Sequence, residues 1–574
     1  MRIPVAQRAV AQRAGRPLLI AVILIALLGM NAPAAFAVTD APQSDAEAAR
    51  FLTMATFGPT AADIAHLRSI GYGEWFAEQL AMPATVERPY VENLDADVRT
   101  PGQRDRIAIW FNNAITAPDQ LRQRAAWALS QIFVVSDQGN KLNGDPVALA
   151  EFYDTLARDA FGYQDAAGVN HAGTYSNLLI DVTYSPAMGK MLTYLRNDGQ
   201  PTDPGVSPDE NYGREIMQLF TIGLIEHNPD FSPQLANGKP IATYASPVVQ
   251  ANARVFTGLS YNPVYSRGFF SQFVSGPKWT IADYLPMYCY ENHHDEASKT
   301  VVDGAVISNP QPSCDQVGAS SHGDIKQLLG TLATHHNVAP FISRQLIQRF
   351  TSSNPSRQYV QRVVAVFMDN GHGVYGDLGA VIKAVLTDAE AVSASAPAPY
   401  VYGKAREPLL KLTALWRYYG AAAHTGIYAL GNMTGNYGQS PLDSPSVFNF
   451  YLPDYYPPGE LADAGLFGPE FQISGESNVV ATANDLTNRA NTYQGKSSNN
   501  HNTIAIDISN LVALAGTPSL LVSQLNHDLM YGGMSASMNA TLTNMVTSVS
   551  IDPATRVTSA LQVLLASPEF SIQK

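Results

Sequence analysis

The chain is 574 residues long with a formal net charge of −13, and charged residues make up 15% of it, well below the usual quarter or so. An acidic chain of low charge density is a poor ligand for nucleic acid or anionic lipid, so no nucleic-acid partner is expected. The length allows several domains, or one large core with insertions.

From the N-terminus, Arg2, Arg8, Arg13 and Arg16 precede an apolar run over 18–28 and the small-residue pattern Ala35-Phe36-Ala37. That order predicts a secretory signal peptide over 1–37, removed to leave 38–574. The run is shorter than the roughly 20 residues that span a bilayer, so a periplasmic or secreted protein with no membrane span after cleavage is expected. Helical spacing of apolar residues predicts a helix pair over 45–54 and 60–80, broken at Phe57-Gly58-Pro59. Two helices follow over 103–133, split near Pro118, with Trp110, Phe111, Ala125, Trp127 and Leu129 in the core. Another helix covers 175–195, interrupted at Ser185-Pro186.

The segment 208–224, PDENYGREIMQLFTIGL, is the most distinctive. Ser207, with Glu210 three residues on and Pro208 between, predicts a capping box, and Gly223 predicts the stop. Tyr212, Ile216, Leu219, Phe220 and Gly223 share one face at about 100° per residue. Asn211, Arg214, Glu215 and Gln218 share the other, which either meets water or lines a site.

A short helix is expected over 246–256. Over 258–312 helical periodicity gives way to dense Tyr, Phe, Gly, Pro and Asn, predicting a loop- and β-hairpin-rich insertion. Helices resume over 325–332, 339–350, 356–368, 378–390 and 407–419. The segment 427–500 is loop-rich, with a helix near 479–493, and helices over 518–530, 536–549 and 554–566 close the chain. The expected fold is therefore mainly α, with a single large multi-helix domain.

The two cysteines, Cys289 and Cys314, predict one disulfide in an oxidising compartment. Two residues past Cys289 stands Glu291-Asn292-His293-His294-Asp295, residues able to supply metal ligands or an acid–base pair, or simply to hydrogen-bond in a loop. His335-His336-Asn337 reads as a helix entry. Lys404-Ala405-Arg406-Glu407 either reaches a substrate or forms an ion-pair network. The aromatic loop containing Gln439 and Asn449 either stacks on a sugar ring or fills a core gap. Gly371–Gly376 satisfies G-x-G-x-x-G, but it follows a predicted helix rather than a strand, so the dinucleotide reading fails on context. The sequence contains no P-loop, H-E-x-x-H or G-x-S-x-G.

The segments ENYGREIMQLFTIGL, ARVFTGL, HHDEASKT, HHNVAPFISRQLIQRFTSSNPS, KAREPLLKL, SPSVFNFYLPDY and RVTSALQVLLASPEF resemble, in order and spacing, the bacterial family called domain of unknown function 1800. The resemblance runs from Phe51 to Phe570. Gly213 departs from the family's usual alanine in a way expected to be harmless, and Leu259-Ser260 replaces a common Gly-Trp. The resemblance implies an exported, largely helical protein, often encoded beside an exported alkaline-phosphatase-like family that is a possible partner.

The expected function is an exported hydrolase of an extracellular or envelope polymer, most plausibly a glycoside hydrolase on a polysaccharide. Glu215 or Glu210 would pair with Asp295 as acid and base, and His294 would orient them. Asn211, Arg214, Gln218, His293, Arg406, Gln439 and Asn449 would bind substrate. No cofactor is required, though a metal ion on His293, His294 and Asp295 is an alternative, as is a non-catalytic binding or assembly role.

Overall fold

Helix starts and buried apolar stripes set the architecture from the first described element onward. The structure, a computed structural model, describes residues 40–94, 101–138, 142–200, 207–262, 273, 284–308, 314, 323–392, 402–491, 504–549 and 551–574. The predicted signal peptide lies outside these residues, as does much of the 258–312 insertion. The described residues fall in one unit, Asp40–Lys574, and no helix among them is long and apolar enough to cross a membrane.

Helices dominate, and β structure among the described residues amounts to six ladders with two residues per strand and three isolated bridges. The first predicted pair forms as Asp45–Ala55 and Ala61–Ala81. Ser44 caps one, and Thr60 and Asp63 exchange two 3.0 Å capping bonds on the other, satisfying N–H groups that the first turn leaves unpaired. The helices Gln103–Thr116 and Gln120–Ser130 bury Trp110 and Trp127 with ring centroids 5.1 Å apart. Trp416, from the helix Pro408–Tyr418, joins them through Phe111.

Every residue of Gln120–Ser130 is buried, so its polar heads need partners inside the protein. Arg122 finds them at the C-terminal end of the helix Pro146–Asp159, donating to the carbonyls of Ala157, Arg158 and Gly162 at 3.0, 3.1 and 3.0 Å. The helix Tyr175–Tyr184 follows, capped by Thr174. Between these two helices the chain makes the ladder Tyr163–Gln164 with Asn170–His171. The turn requires Gly162, whose φ is +77°; a Cβ there would lie 2.4 Å from the His171 carbonyl.

At the far end of the sequence the helices Pro518–Met530, Ala536–Val549 and Pro553–Ala566 form as predicted, and the last packs on Glu476–Asn491. Ile572–Gln573 then pairs antiparallel with Lys404–Ala405.

Two expectations need correction. The 208–224 helix begins later and ends earlier than the predicted stop at Gly223, as Asn211–Gln218, and no capping box forms at Ser207 and Glu210. Asp209 takes over instead: its carboxylate accepts the Asn211 N–H and the Thr193 hydroxyl, and its own N–H is held by Asn197. These tertiary bonds outweigh the local cap and leave Glu210 free to pair with Arg214 at 2.9 Å. Gly213 is also not a harmless departure from alanine. Asn211–Gln218 and Ser246–Val255 touch backbone to backbone there, and a Cβ would sit 2.8 Å from the Ala253 nitrogen.

Candidate functional site

The predicted polar helix face disperses. Asn211 donates to Thr193 at 2.9 Å, Gln218 accepts from Tyr244 at 3.3 Å, and Glu210 and Arg214 are mutually engaged near the surface. Glu215, placed on the polar face by helical spacing, is buried, and its Oε2 has no hydrogen-bond partner. Burial pushes its carboxyl pKa up, against the pull of Arg214.

The Cys289–Cys314 disulfide is present, with Cα atoms 5.6 Å apart. The loop beside it is bound inward. His294 is fully buried, its Nδ1 2.9 Å from the Thr257 carbonyl and its Nε2 3.4 Å from Asp324. His293 sits 2.9 Å from Asp198 and stacks on Phe273 at 3.8 Å. Asp295 is forked by Arg254 at 2.7 and 2.9 Å. Burial raises its pKa, but Arg254, the Ala297 N–H and Lys299 outweigh that and hold it below the usual carboxylate range. Among the described residues, no hydrogen bond or ion pair joins Glu210 or Glu215 to His293, His294 or Asp295.

Gln439 and Asn449 enter a buried polar network. Glu407 Oε2 accepts from Trp127, Gln131 and Gln439 at 2.9, 2.9 and 2.8 Å, and Asn449 donates to Gln131 at 3.4 Å. Lys404 pairs with Glu470 at 2.9 Å. These side chains are buried, so the motifs around them brace the core.

A pair of carboxyls that sequence reasoning missed occupies an open cleft of about 640 Å³. Asp159 is the last residue of Pro146–Asp159, the helix whose end Arg122 caps, and Asp181 projects from Tyr175–Tyr184. Both line the cleft with Tyr163, His171, Arg88 and Tyr284. The two carboxyls lie within hydrogen-bonding reach of each other. Asp159 is 2% exposed and its Oδ2 receives no hydrogen bond. Burial and mutual repulsion both favour a proton held on this pair, against the pull of Arg158 and Arg122. Burial pushes both up, Asp159 well above the ordinary value with Asp181 adding to the effect.

The surroundings fix this pair. Glu151 bridges Arg88 and Arg158, with 2.6 Å to Arg88 Nε, which keeps Arg158 beside the pair. The guanidinium of Arg88 lies 4.3 Å over the Tyr284 ring. His171 stacks on Tyr163 at 4.5 Å and meets Asp165 at 3.1 Å. Asp165 Oδ1 accepts the N–H groups of Ala167 and Val169, so the turn holds the imidazole at the rim. Burial, then the charge of Asp159, pushes the Tyr163 phenol up to about 12, so it remains a donor.

Two signals in the sequence mark the pair. Asp159 is an acid at a helix C-terminus, where the dipole disfavours negative charge. Asp181 is a lone acid in the otherwise apolar run NLLIDVTY. Each breaks a local rule, as functional residues do.

A third group, Glu226 with His335 and His336, has ligand atoms close enough for a metal ion. His335 Nδ1, however, accepts the Asn337 N–H at 3.1 Å. Its proton therefore sits on Nε2, which faces Asp303 at 3.2 Å. A metal on that nitrogen would need the proton moved to a position already facing a donor, so the group reads as the predicted helix entry.

A family model described as "Protein of unknown function (DUF1800)" matches residues 50–572. No curated protein and no solved structure matches the chain.

Proposed function

This chain belongs to the DUF1800 family, and we propose that it is an exported hydrolase of an extracellular or envelope polymer, with Asp159 and Asp181 as its acid–base pair. The observation that supports this is the pair of upshifted carboxyls, Asp159 buried and Asp181 partly buried, in the wall of an open cleft. In the reaction, the ionised carboxylate takes a proton from water as the oxygen attacks the scissile carbon. The protonated partner then gives its proton to the departing group, so the pair returns to its one-proton state.

The spacing of the pair bears on the bond cleaved. Glycosidases place their carboxyls about 5–5.5 Å apart for retention, or about 6.5–9.5 Å for inversion. Two groups sharing one proton are closer than either, an arrangement suited to water addition at an acyl centre. The favoured bond is therefore an amide or ester within the polymer. A glycosidic course would need one member of the pair to work with a more distant carboxyl. Tyr163, Tyr284 and His171 offer ring faces, and Arg88 and Arg158 offset the charge of the cleft.

The test is a substrate panel read two ways: new reducing ends for glycosidic cleavage, released amine or acid for acyl cleavage. Loss of turnover in both Asp159→Asn and Asp181→Asn is expected. Turnover that survives both substitutions overturns the assignment.

A further inference from the structure

Charge left unbalanced inside a protein demands a partner, because an unpaired buried ion costs several kcal/mol. Arg406 is such a case. It is 8% exposed, yet its Nε and Nη1 have no hydrogen-bond partner. No carboxylate among the described residues forms an ion pair with it. The rings of Phe570 and Tyr531 lie 5.2 and 5.7 Å from its guanidinium carbon and partly shield it from water.

Arg406 lines two cavities, one of about 300 Å³ and one of about 760 Å³. The smaller also contains Lys411, whose Nζ donates to the Ser571 hydroxyl at 3.0 Å. Burial, with the charge of Arg406 adding to it, pulls the Lys411 ammonium down to about 8. The wider cavity adds Arg50 and Lys574. It also holds two acids that form no ion pair with Arg406: Glu569 accepts from the Ser535 N–H and hydroxyl at 2.9 and 2.6 Å, and Glu47 from the Gln43 N–H at 2.6 Å. None of these residues lines the Asp159–Asp181 cleft.

We propose that Arg406 and Lys411 form a binding site for an oxyanion, the carboxylate or phosphate group of a ligand that enters through these cavities. The planar guanidinium presents two parallel donors to two oxygens of such a group through Nη2 together with either Nε or Nη1, and Lys411 supplies a second charge. The apolar walls made by Ile473, Val479 and Leu565 fit a ligand with a carbon body behind its anionic head.

The experiment uses the mature chain at pH 7 and constant ionic strength, with calorimetric titration and melting curves. One arm uses inorganic phosphate and the other sodium galacturonate, each against chloride. Saturable binding with a rise in melting temperature is expected in at least one arm; phosphate alone points to a phosphoryl ligand, galacturonate alone to an acidic sugar. Arg406→Gln should weaken binding at least tenfold, and Lys411→Met should weaken it several-fold even if the arginine variant fails to fold. Asp159→Asn should bind as wild type does, which separates this site from the hydrolytic cleft. No saturable binding in either arm, or equal binding in both site variants, overturns the proposal.

Discussion

Replacing Asp159 by Asn tests the shared proton through stability as well as activity. In the unfolded chain both carboxyls ionise near pH 4. In the folded chain burial and mutual repulsion keep a proton on the pair well above that value. The folded state therefore binds one proton more than the unfolded state over this window, and stability falls as pH rises through it. The slope is about 1.4 kcal/mol for each pH unit over which the proton is retained. Asn keeps the shape of the side chain and gives Asp181 an N–H donor in place of the shared proton, so the slope from this pair disappears. Urea unfolding followed by the fluorescence of the buried tryptophans, repeated from pH 5 to pH 8, measures this. The difference in stability between Asp159→Asn and wild type should shift in favour of the variant as pH rises. Parallel curves for the two proteins would show that no proton is shared and would refute the reasoning.

Three further outcomes are expected. His227 is pushed down to about 4 by burial, then by Arg344; the unfolded histidine protonates near 6.5, so stability is full above that and falls by about 3 kcal/mol as pH drops to 4, a loss that His227→Phe should remove from acid titrations of the melting temperature. Gly213→Ala, which forces a methyl against the Ala253 nitrogen, should cost about 1–3 kcal/mol in chemical unfolding. Paired Cys289→Ala and Cys314→Ala substitutions open a loop of 25 residues' separation and should cost roughly 3.5 kcal/mol by the chain-entropy relation, with no change in substrate turnover.

The helical frame was legible because burial imposes a period. Residues 518–530 and 536–549 carry apolar side chains at helical spacing, and the helices form over those residues. The long predicted helix over 378–390 breaks at Asp388, whose extended backbone and fork to Arg362 end Leu378–Thr387. That break is set by a distant side chain and leaves no local mark. The start of the 208–224 helix was misplaced for the same reason, since Thr193 and Asn197 capture Asp209 from outside the window. Periodicity left open whether the face carrying Glu215 meets water, because it says which side chains share a face but not how many faces are covered. The carboxyl pair was hardest to read. Asp159 and Asp181 stand 22 positions apart on different helices, and only the turn at Gly162 brings those helices together.

The pairing of Ile572–Gln573 with Lys404–Ala405 has a consequence for the order of assembly. A contact between segments so far apart in the chain forms late, since its loop-closure cost must be met by structure already in place. Phe570, which covers Arg406, arrives with that strand. A chain ending at the Pro553–Ala566 helix would lack the Phe570 ring over the Arg406 guanidinium. Docking of the last few residues, not collapse of the tryptophan core, is then the step that brings the Phe570 ring over Arg406. Small C-terminal deletions should uncover it while leaving the helical content almost intact.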